Sequence, residues 1–224
     1  TLRLAVPMSF GVHEIAPRID RFLARYPNLK VEIEATDRVI DLVHERMDLA
    51  IRIKRPREQS FVMRRLCPIR GLLCATPDYL ARHGSPRIPA DVAQHECLTY
   101  RGASELWRFS TGEEIPVRGR LTFDNGEALR EAALAGLGLV TLPTYLCGDD
   151  VREGTLVPLL LDHLHPGTSL FALYPENRHL SPKVRATIDW LVEELGPEPE
   201  WDRDLPVAGR QRTWGGPTGR AARA

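Results

Sequence analysis

LRLAVPMSFGVHEIAPRIDRFLARYPNLKVEIEATDRVIDLVHERMDLAIRI, residues 2–53, decides the fold class. LRLAV (2–6) reads as a short apolar strand and PMSFG as a loop. Val12, Ile15, Ile19, Phe22, Leu23 and Tyr26 then recur at helical spacing. Pro17 falls inside that pattern and removes one N–H, so the helix kinks or starts late. KVEIEA (30–35) alternates as a strand, and Thr36-Asp37 predicts the cap of a second helix carrying Val39, Leu42 and Val43. DLAIRI (48–53) is the third strand. The order β-α-β-α-β is that of a parallel sheet with covering helices.

Outward from there the elements continue. Strands are expected around Val62–Leu66 and Gly71–Ala75. Thr76-Pro77 starts a helix that Gly84 closes. LTYR (98–101) reads as a strand, and LWRF and IPVRG flank STGEE as a hairpin. DNGEALREAALAGLGLVTLP (124–143) holds an Asn-capped amphipathic helix, a stop at Gly136, a second Gly at 138 and an apolar strand. Further strands are expected at Leu156–Leu161 and Leu170–Tyr174, then a helix opened by Ser181-Pro182 with the stripe Val184, Ile188, Leu191 and Leu195. After Gly196 the apolar period stops, and residues 197–224, rich in Pro, Gly and Arg, are expected to be a disordered tail.

Composition narrows the function. The chain has 224 residues, 43% of them hydrophobic, enough for one large domain or two small lobes. Thirty basic residues balance thirty acidic ones, without the basic excess of a nucleic-acid surface. No apolar run approaches the roughly 20 residues that span a bilayer. Cys67, Cys74, Cys97 and Cys147 form no CxxC pair and read as buried apolar residues of a reducing cytosol.

Three junctions share one design, in which a strand runs through a short polar turn into a helix start. They are Ser9-Phe10-Gly11, Thr36-Asp37 and Asp124-Asn125-Gly126. Helix starts present unpaired N–H groups and partial positive charge, which hold anions and carbonyl oxygens. Plain capping with water in the gap is the simpler alternative for any one of them. Arg52 ends one strand and Arg101 another, where a guanidinium can clamp a carboxylate. Asp37 and Glu127 leave the charge of a ligand open. His163 and His165 would share one face of a strand, but no third metal ligand stands at the right spacing, and no metal or cofactor is expected. No GxSxG, HExxH or P-loop occurs, and no local arrangement favours a nucleophile, so no catalytic residue is assigned.

Taken in order, SFGVHEIAPRIDRFLARYPNLKVEIE, DRVIDLVHERMDLAIRI, RRLCPIRGLLCATPDYLARHG, DVAQHECLTYR, WRF, VRGRLTFDNGEALREAALAGLGLVTLP, REGTLVPLL and ALYPENRHLSPKVRATIDWLVEEL resemble one family. Residues 2–196 are similar to the effector-binding domain of LysR-type transcriptional regulators. The resemblance implies a two-lobed α/β fold of the type II periplasmic-binding-protein kind, each lobe a mixed sheet covered by helices, joined by two crossover strands. It places lobe I at 1–73 plus 176–196 and lobe II at 74–175. It implies a small effector bound between the lobes, a homodimer that builds tetramers in the full-length protein, a cytoplasmic location without membrane attachment, and promoter DNA held by an N-terminal winged helix-turn-helix that this sequence does not include. By position, the family's effector contacts fall on Ser9, Phe10, Gly11, Thr36, Asp37 and Arg52, and on Tyr100, Arg101 and Asn125.

The resemblance also marks two departures. Relatives carry Gly where Arg46 and Lys54 stand, and neither residue takes positive φ readily, so the end of the third strand and the aim of Arg52 are expected to differ. Lys54, Arg55 and Arg57 add positive charge there, which favours an acidic effector. A solute-binding protein of a transport system is the alternative on the same fold. Such proteins tend to be lysine-rich, and this chain has lysine only at 30, 54 and 183.

Overall fold

The computed structural model describes residues 1–53, 61–176 and 180–207. The elements begin with β1 (Leu2–Val6), α1 (Met8–Phe10), α2 (Ile19–Arg25), β2 (Val31–Ala35), β3 (Leu49–Ile53) and β4 (Phe61–Ile69). There follow β5 (Gly71–Ala75), α3 (Pro77–His83), β6 (Cys97–Tyr100), β7 (Leu106–Arg108), β8 (Glu114–Pro116) and β9 (Thr122–Phe123). The chain closes with α4 (Gly126–Leu134), β10 (Leu139–Pro143), α5 (Thr144–Glu153), β11 (Val157–Leu159), β12 (Thr168–Pro175) and α6 (Pro182–Leu195). They divide into two compact units, Thr1–Ile69 with Gly167–Glu200, and Arg70–Pro166 with Trp201 onward.

Unit 1 is a sheet in the order β2-β1-β3-β12-β4. β1 pairs in parallel with β2 on one side and β3 on the other, while β12 runs antiparallel to β3 and β4. β12 therefore belongs to this unit, although its residues were expected in lobe II. Its partners lie over 100 positions away, and no local pattern reports such pairing. The first boundary also falls earlier than residue 73, because all of β5 pairs within the other sheet. α6 buries Val184, Thr187, Ile188, Trp190, Leu191 and Leu195, the repeat of a helix with one apolar face. Ser181 precedes it in extended conformation but makes no side-chain capping bond. Asp48 ties three elements together. Its Oδ2 accepts the N–H of Arg3 at 2.9 Å and the ammonium of Lys183 at 2.6 Å.

Two helices expected in unit 1 are built differently. The first is interrupted, with a π turn at Gly11–Ile15 following α1 before α2 starts at Ile19. Pro17, having no N–H, sits at the break. Phe10, Ile15 and Phe22 are buried, whereas Val12 and Leu23 face solvent. The helix expected after Thr36-Asp37 does not form. Asp41 Oδ1 accepts the N–H groups of Val43 and His44, so the cap stands at Asp41 and not at Thr36-Asp37. A single turn results, with Ile40 and Leu42 buried and Val39 and Val43 exposed. It ends as a Schellman motif, with Met47 N–H donating to Leu42 O and Arg46 N–H to Val43 O. Arg46 takes φ +56°, so it adopts the left-handed conformation it was expected to resist. Lys54, the second departure, lies outside the described residues.

Unit 2 is a sheet in the order β11-β5-β10-β6-β9 with the hairpin β7-β8 beside it. β10 is antiparallel to β5 and parallel to β6, and β6 is parallel to β9. The AGLG segment after α4 follows from two constraints. Gly136, at φ +72°, forms the same Schellman pair as Arg46, with Leu137 N–H on Ala132 O and Gly136 N–H on Ala133 O. Gly138 lies so close to β6 that an added Cβ would stand 2.4 Å from Glu96 O. α5 was not foreseen, because Gly148, Asp149 and Asp150 break its apolar stripe. Its Asp150 is buried against Arg130 of α4 through two bonds of 2.6 Å. The strand that would carry His163 and His165 is absent, since Leu161–His163 is a 3-10 turn. All four cysteines are free and buried. Burial pushes the Cys97 thiol up to about 12, while a hydrogen bond between Cys74 and Cys147, and then burial, raises the Cys74 thiol. The expected disordered tail is ordered over 197–207, and residues 208–224 lie outside the described residues.

Two predictions follow from local conformation and from one titrating group. Replacing Arg46 with Gly removes a left-handed penalty of about 1 kcal/mol, so R46G raises the unfolding free energy by up to that amount in urea titration. An unchanged or lowered midpoint would contradict the assignment of strain there. His95 accepts from or donates to Tyr79 Oη at 3.2 Å and is partly buried. Burial, then the nearby His83, lowers its pKa from the usual 6.5, with Asp91 opposing. The folded state therefore binds this proton more weakly than the unfolded chain. The contribution is complete above pH 6.5 and is lost as pH falls toward the lowered value. The stability difference between wild type and H95Q is expected to be flat above that pH and to move against wild type below it.

Candidate functional site

In unit 1, β1, β2 and β3 are parallel, so their carboxyl ends share one edge of the sheet. The chain goes from β1 to β2 on one side and then to β3 on the other, the switch at which open α/β sheets hold ligands. Ser9, Phe10, Gly11, Thr36, Asp37 and Arg52 all lie toward that edge. Ser9, Phe10 and Gly11 follow β1 and are buried. Thr36 directly follows β2, with its N–H on Val6 O at 2.8 Å.

Two side chains stitch the strand ends together. Asp37 Oδ1 accepts the N–H of Met8 at 3.0 Å, capping the turn after β1 from the turn after β2. Arg52, in β3, donates to Ile51 O at 2.9 Å and to Arg38 O at 3.4 Å, which joins β3 to the same turn. Its guanidinium makes no ion pair among the described residues. Burial pushes its pKa below the usual arginine value, with the charges of Asp37 and Glu34 opposing. Arg38 was not singled out from the sequence. Its own guanidinium is taken up by Glu34 and Glu45, whereas Arg52 has no carboxylate partner among the described residues. Lys54, Arg55 and Arg57 lie outside the described residues.

Unit 2 repeats the arrangement. The ends of β6 and β9 are adjacent and parallel, with Tyr100 opposite Phe123. Asn125 caps α4, its Oδ1 accepting the N–H of Ala128 at 3.1 Å. Tyr100 Oη donates to Asp124 O at 2.6 Å, and the Arg101 N–H donates to Phe123 O at 2.6 Å. The Arg101 guanidinium is 72% exposed and faces Asp124 Oδ2 at 3.7 Å. Tyr100, Arg101 and Asn125 thus meet at one sheet edge, with Asp124 as a fourth member. Asp124 stood beside Asn125 in the junction before α4, and its role as partner to Tyr100 and Arg101 depends on strand pairing. Both edges offer hydrogen-bond donors, capped helix starts and one arginine, an arrangement that can hold a small polar molecule.

The sequence profile of the LysR substrate binding domain matches residues 1–196. Among curated proteins, the chain is 35% identical over 205 residues to the HTH-type transcriptional regulator PtxR of Pseudomonas aeruginosa, covering 88% of this chain and 65% of that protein. It is 32% identical over 200 residues to the HTH-type transcriptional regulator CrgA of Neisseria meningitidis, covering 87% and 67%. The chain therefore spans about two thirds of the length of the curated relatives it matches. Among solved structures, the regulatory domain of CrgA superposes with a TM-score of 0.77 at 30% identity, over 87% of this chain and 98% of that one.

The two caps are expected to act independently. Asp37→Ala and Asn125→Ala each leave a helix-start N–H without its acceptor, which costs about 1 kcal/mol. Their partners lie in different units, so the double variant should lose the sum to within about 0.5 kcal/mol in chemical denaturation. A double variant no less stable than either single one would show that the caps share a partner.

Proposed function

The chain belongs to the LysR-type transcriptional regulators through its substrate binding domain, and from that premise we propose that residues 1–196 are the part of a regulator that senses a small polar effector. The effector contacts are Ser9, Phe10, Gly11, Thr36, Asp37 and Arg52 in unit 1, and Tyr100, Arg101 and Asn125 in unit 2. The effector is acidic. One observation carries this, namely that Arg52 is a partly buried guanidinium whose partners among the described residues are two backbone carbonyls. A buried charge without a counter-ion favours any ligand that brings one.

The full-length regulator works as a homodimer that builds tetramers and holds promoter DNA through a helix-turn-helix outside this sequence. The effector acts by preferring one arrangement of the units, because equal affinity for both would shift nothing. Among the described residues no helix is long and apolar enough to cross a membrane. Membership of a regulator family sets aside the solute-transport reading of the same fold.

The test is thermal unfolding of the domain against aromatic acids, dicarboxylates, amino acids and sugars. A ligand at 100 times its dissociation constant adds about 2.7 kcal/mol to stability, which reads as a shift of a few degrees. With the acid so identified, Arg52→Ala is expected to weaken binding by about 2 kcal/mol. Arg101→Ala should cost less than about 1 kcal/mol, as its charge is exposed and already faces Asp124. A saturable response to neutral sugars alone, or R52A binding with wild-type affinity, would overturn the acidic reading.

A further inference from the structure

Strand register places an acid and a base on one face of the unit 1 sheet. Glu34 of β2 stands opposite Ala5 of β1, and Ala5 stands opposite Ala50 of β3. Laterally paired residues share a face, as do residues two apart along a strand, so Glu34 and Arg52 project from the same side. Two strand spacings of about 5 Å separate them laterally, with only alanines between. Ile40 and Leu42 pack with Ala5 and Ala50 in one buried cluster, so the segment joining β2 to β3 lies over this face. That segment carries Arg38 and Glu45.

Arg38 meets both sides of the arrangement. Its Nη1 donates to Glu45 Oε1 at 2.8 Å and its Nη2 to Glu34 Oε1 at 2.8 Å, with a further bond from Nη2 to Glu45 Oε2. Its backbone carbonyl accepts from Arg52 Nη2 at 3.4 Å. One residue therefore holds two carboxylates with its side chain and touches the Arg52 guanidinium with its main chain. The glutamate charges still act on Arg52. Burial lowers the Arg52 pKa, Asp37, Glu34 and Glu45 oppose burial, and Arg38 acts with it. Asp37 has its Oδ1 on the Met8 N–H. A planar fork that takes one carboxylate in two places and a second beside it suits arginine and not lysine. Without Arg38, two carboxylates lose their cation on the face from which Arg52 projects.

We propose that Arg38 is a specificity-determining guard, which holds Glu34 and Glu45 off Arg52 and so keeps that guanidinium available to the carboxylate of an acidic effector. This rests on the acidic reading of the unit 1 edge and adds the residue that preserves it. A mere brace for the turn makes a different prediction, since loss of Arg38 would then do harm whatever became of the two glutamates.

The experiment treats the full-length regulator with phenylglyoxal, a dicarbonyl that attacks guanidinium nitrogens and is slowed when a carboxylate holds them. Modification at residue 52 is followed by mass spectrometry in wild type, in Arg38→Met, and in Arg38→Met combined with Glu34→Gln and Glu45→Gln. A carboxylate partner favours the charged form of its neighbour by about one pKa unit or more, so Arg52 in R38M should react at least about threefold more slowly than in wild type. In the triple variant the rate should return to that of wild type. Benzoate and succinate, an aromatic acid and a dicarboxylate, are then titrated against the same three proteins. Whichever binds wild type should bind R38M at least about threefold more weakly and regain its affinity in the triple variant. Equal reactivity of Arg52 in wild type and R38M overturns the proposal. Slow reaction that persists in the triple variant overturns it too, and reduces Arg38 to a brace. Binding of neither acid to wild type tells against the acidic reading of the edge, and reactivity at Arg52 still decides the guard role. If R38M does not fold, Arg38→Lys takes its place, with the same reversal expected once both glutamates are neutralised.

Discussion

The parallel pairing of β1 with both β2 and β3 is the constraint on which the proposed site in unit 1 depends. A parallel partner on each side means that no hairpin can connect these strands, so each connection must cross the sheet and return. The crossings bring three carboxyl ends to one edge and send the chain away from β1 in opposite directions there. Asp37 and Arg52 then act on strand ends already aligned by register, Val6 opposite Ala35 and Ala50 opposite Ala5. β6, held between β9 and β10 by parallel pairing, plays the same part in unit 2.

Charge on the unit 1 edge is resolved by local competition. Arg38 could have met a ligand, but Glu34 and Glu45 take it up. Arg52 stands on a strand whose neighbours are mostly apolar, and among the described residues it reaches only carbonyls. The difference between the two arginines comes from which side chains lie within reach of each strand end. Number of arginines has no bearing on it. In unit 2 the arginine of the pair is the exposed one, so the two edges are alike in backbone and unlike in electrostatics.

Much of this was legible because it is written in neighbouring residues. The strands of unit 1, the caps at Thr76 and Asn125 and the stop at Gly136 each follow from residue types a few positions apart. What stayed hidden is decided by partners far along the chain or by competing local bonds. Asp41 takes the cap expected at Thr36-Asp37, α5 hides behind a polar stripe, and β12 finds its sheet by pairing with β3 residues over 100 positions away. The segment after α6 reads as tail because proline, acid and arginine dominate it, while Trp201, Leu205 and Val207 are too few to show a period. The strand ends that carry the proposed contacts could be placed from the sequence, but the partners of Arg52 and Arg101 could not.

Asp37 has a further consequence for recognition. Its carboxylate already occupies the first N–H after β1, so the protein supplies its own competitor at the place where an anion would bind. A ligand that seeks the Met8 N–H must evict a tethered group whose effective concentration no free solute matches. An acid that leaves Asp37 in place meets a negative neighbour on one side and Arg52 on the other. In the proposed site, selection would thus act on the shape of the ligand's charge, favouring a carboxylate that reaches Arg52 while keeping its distance from Asp37, over anions that merely fit the gap.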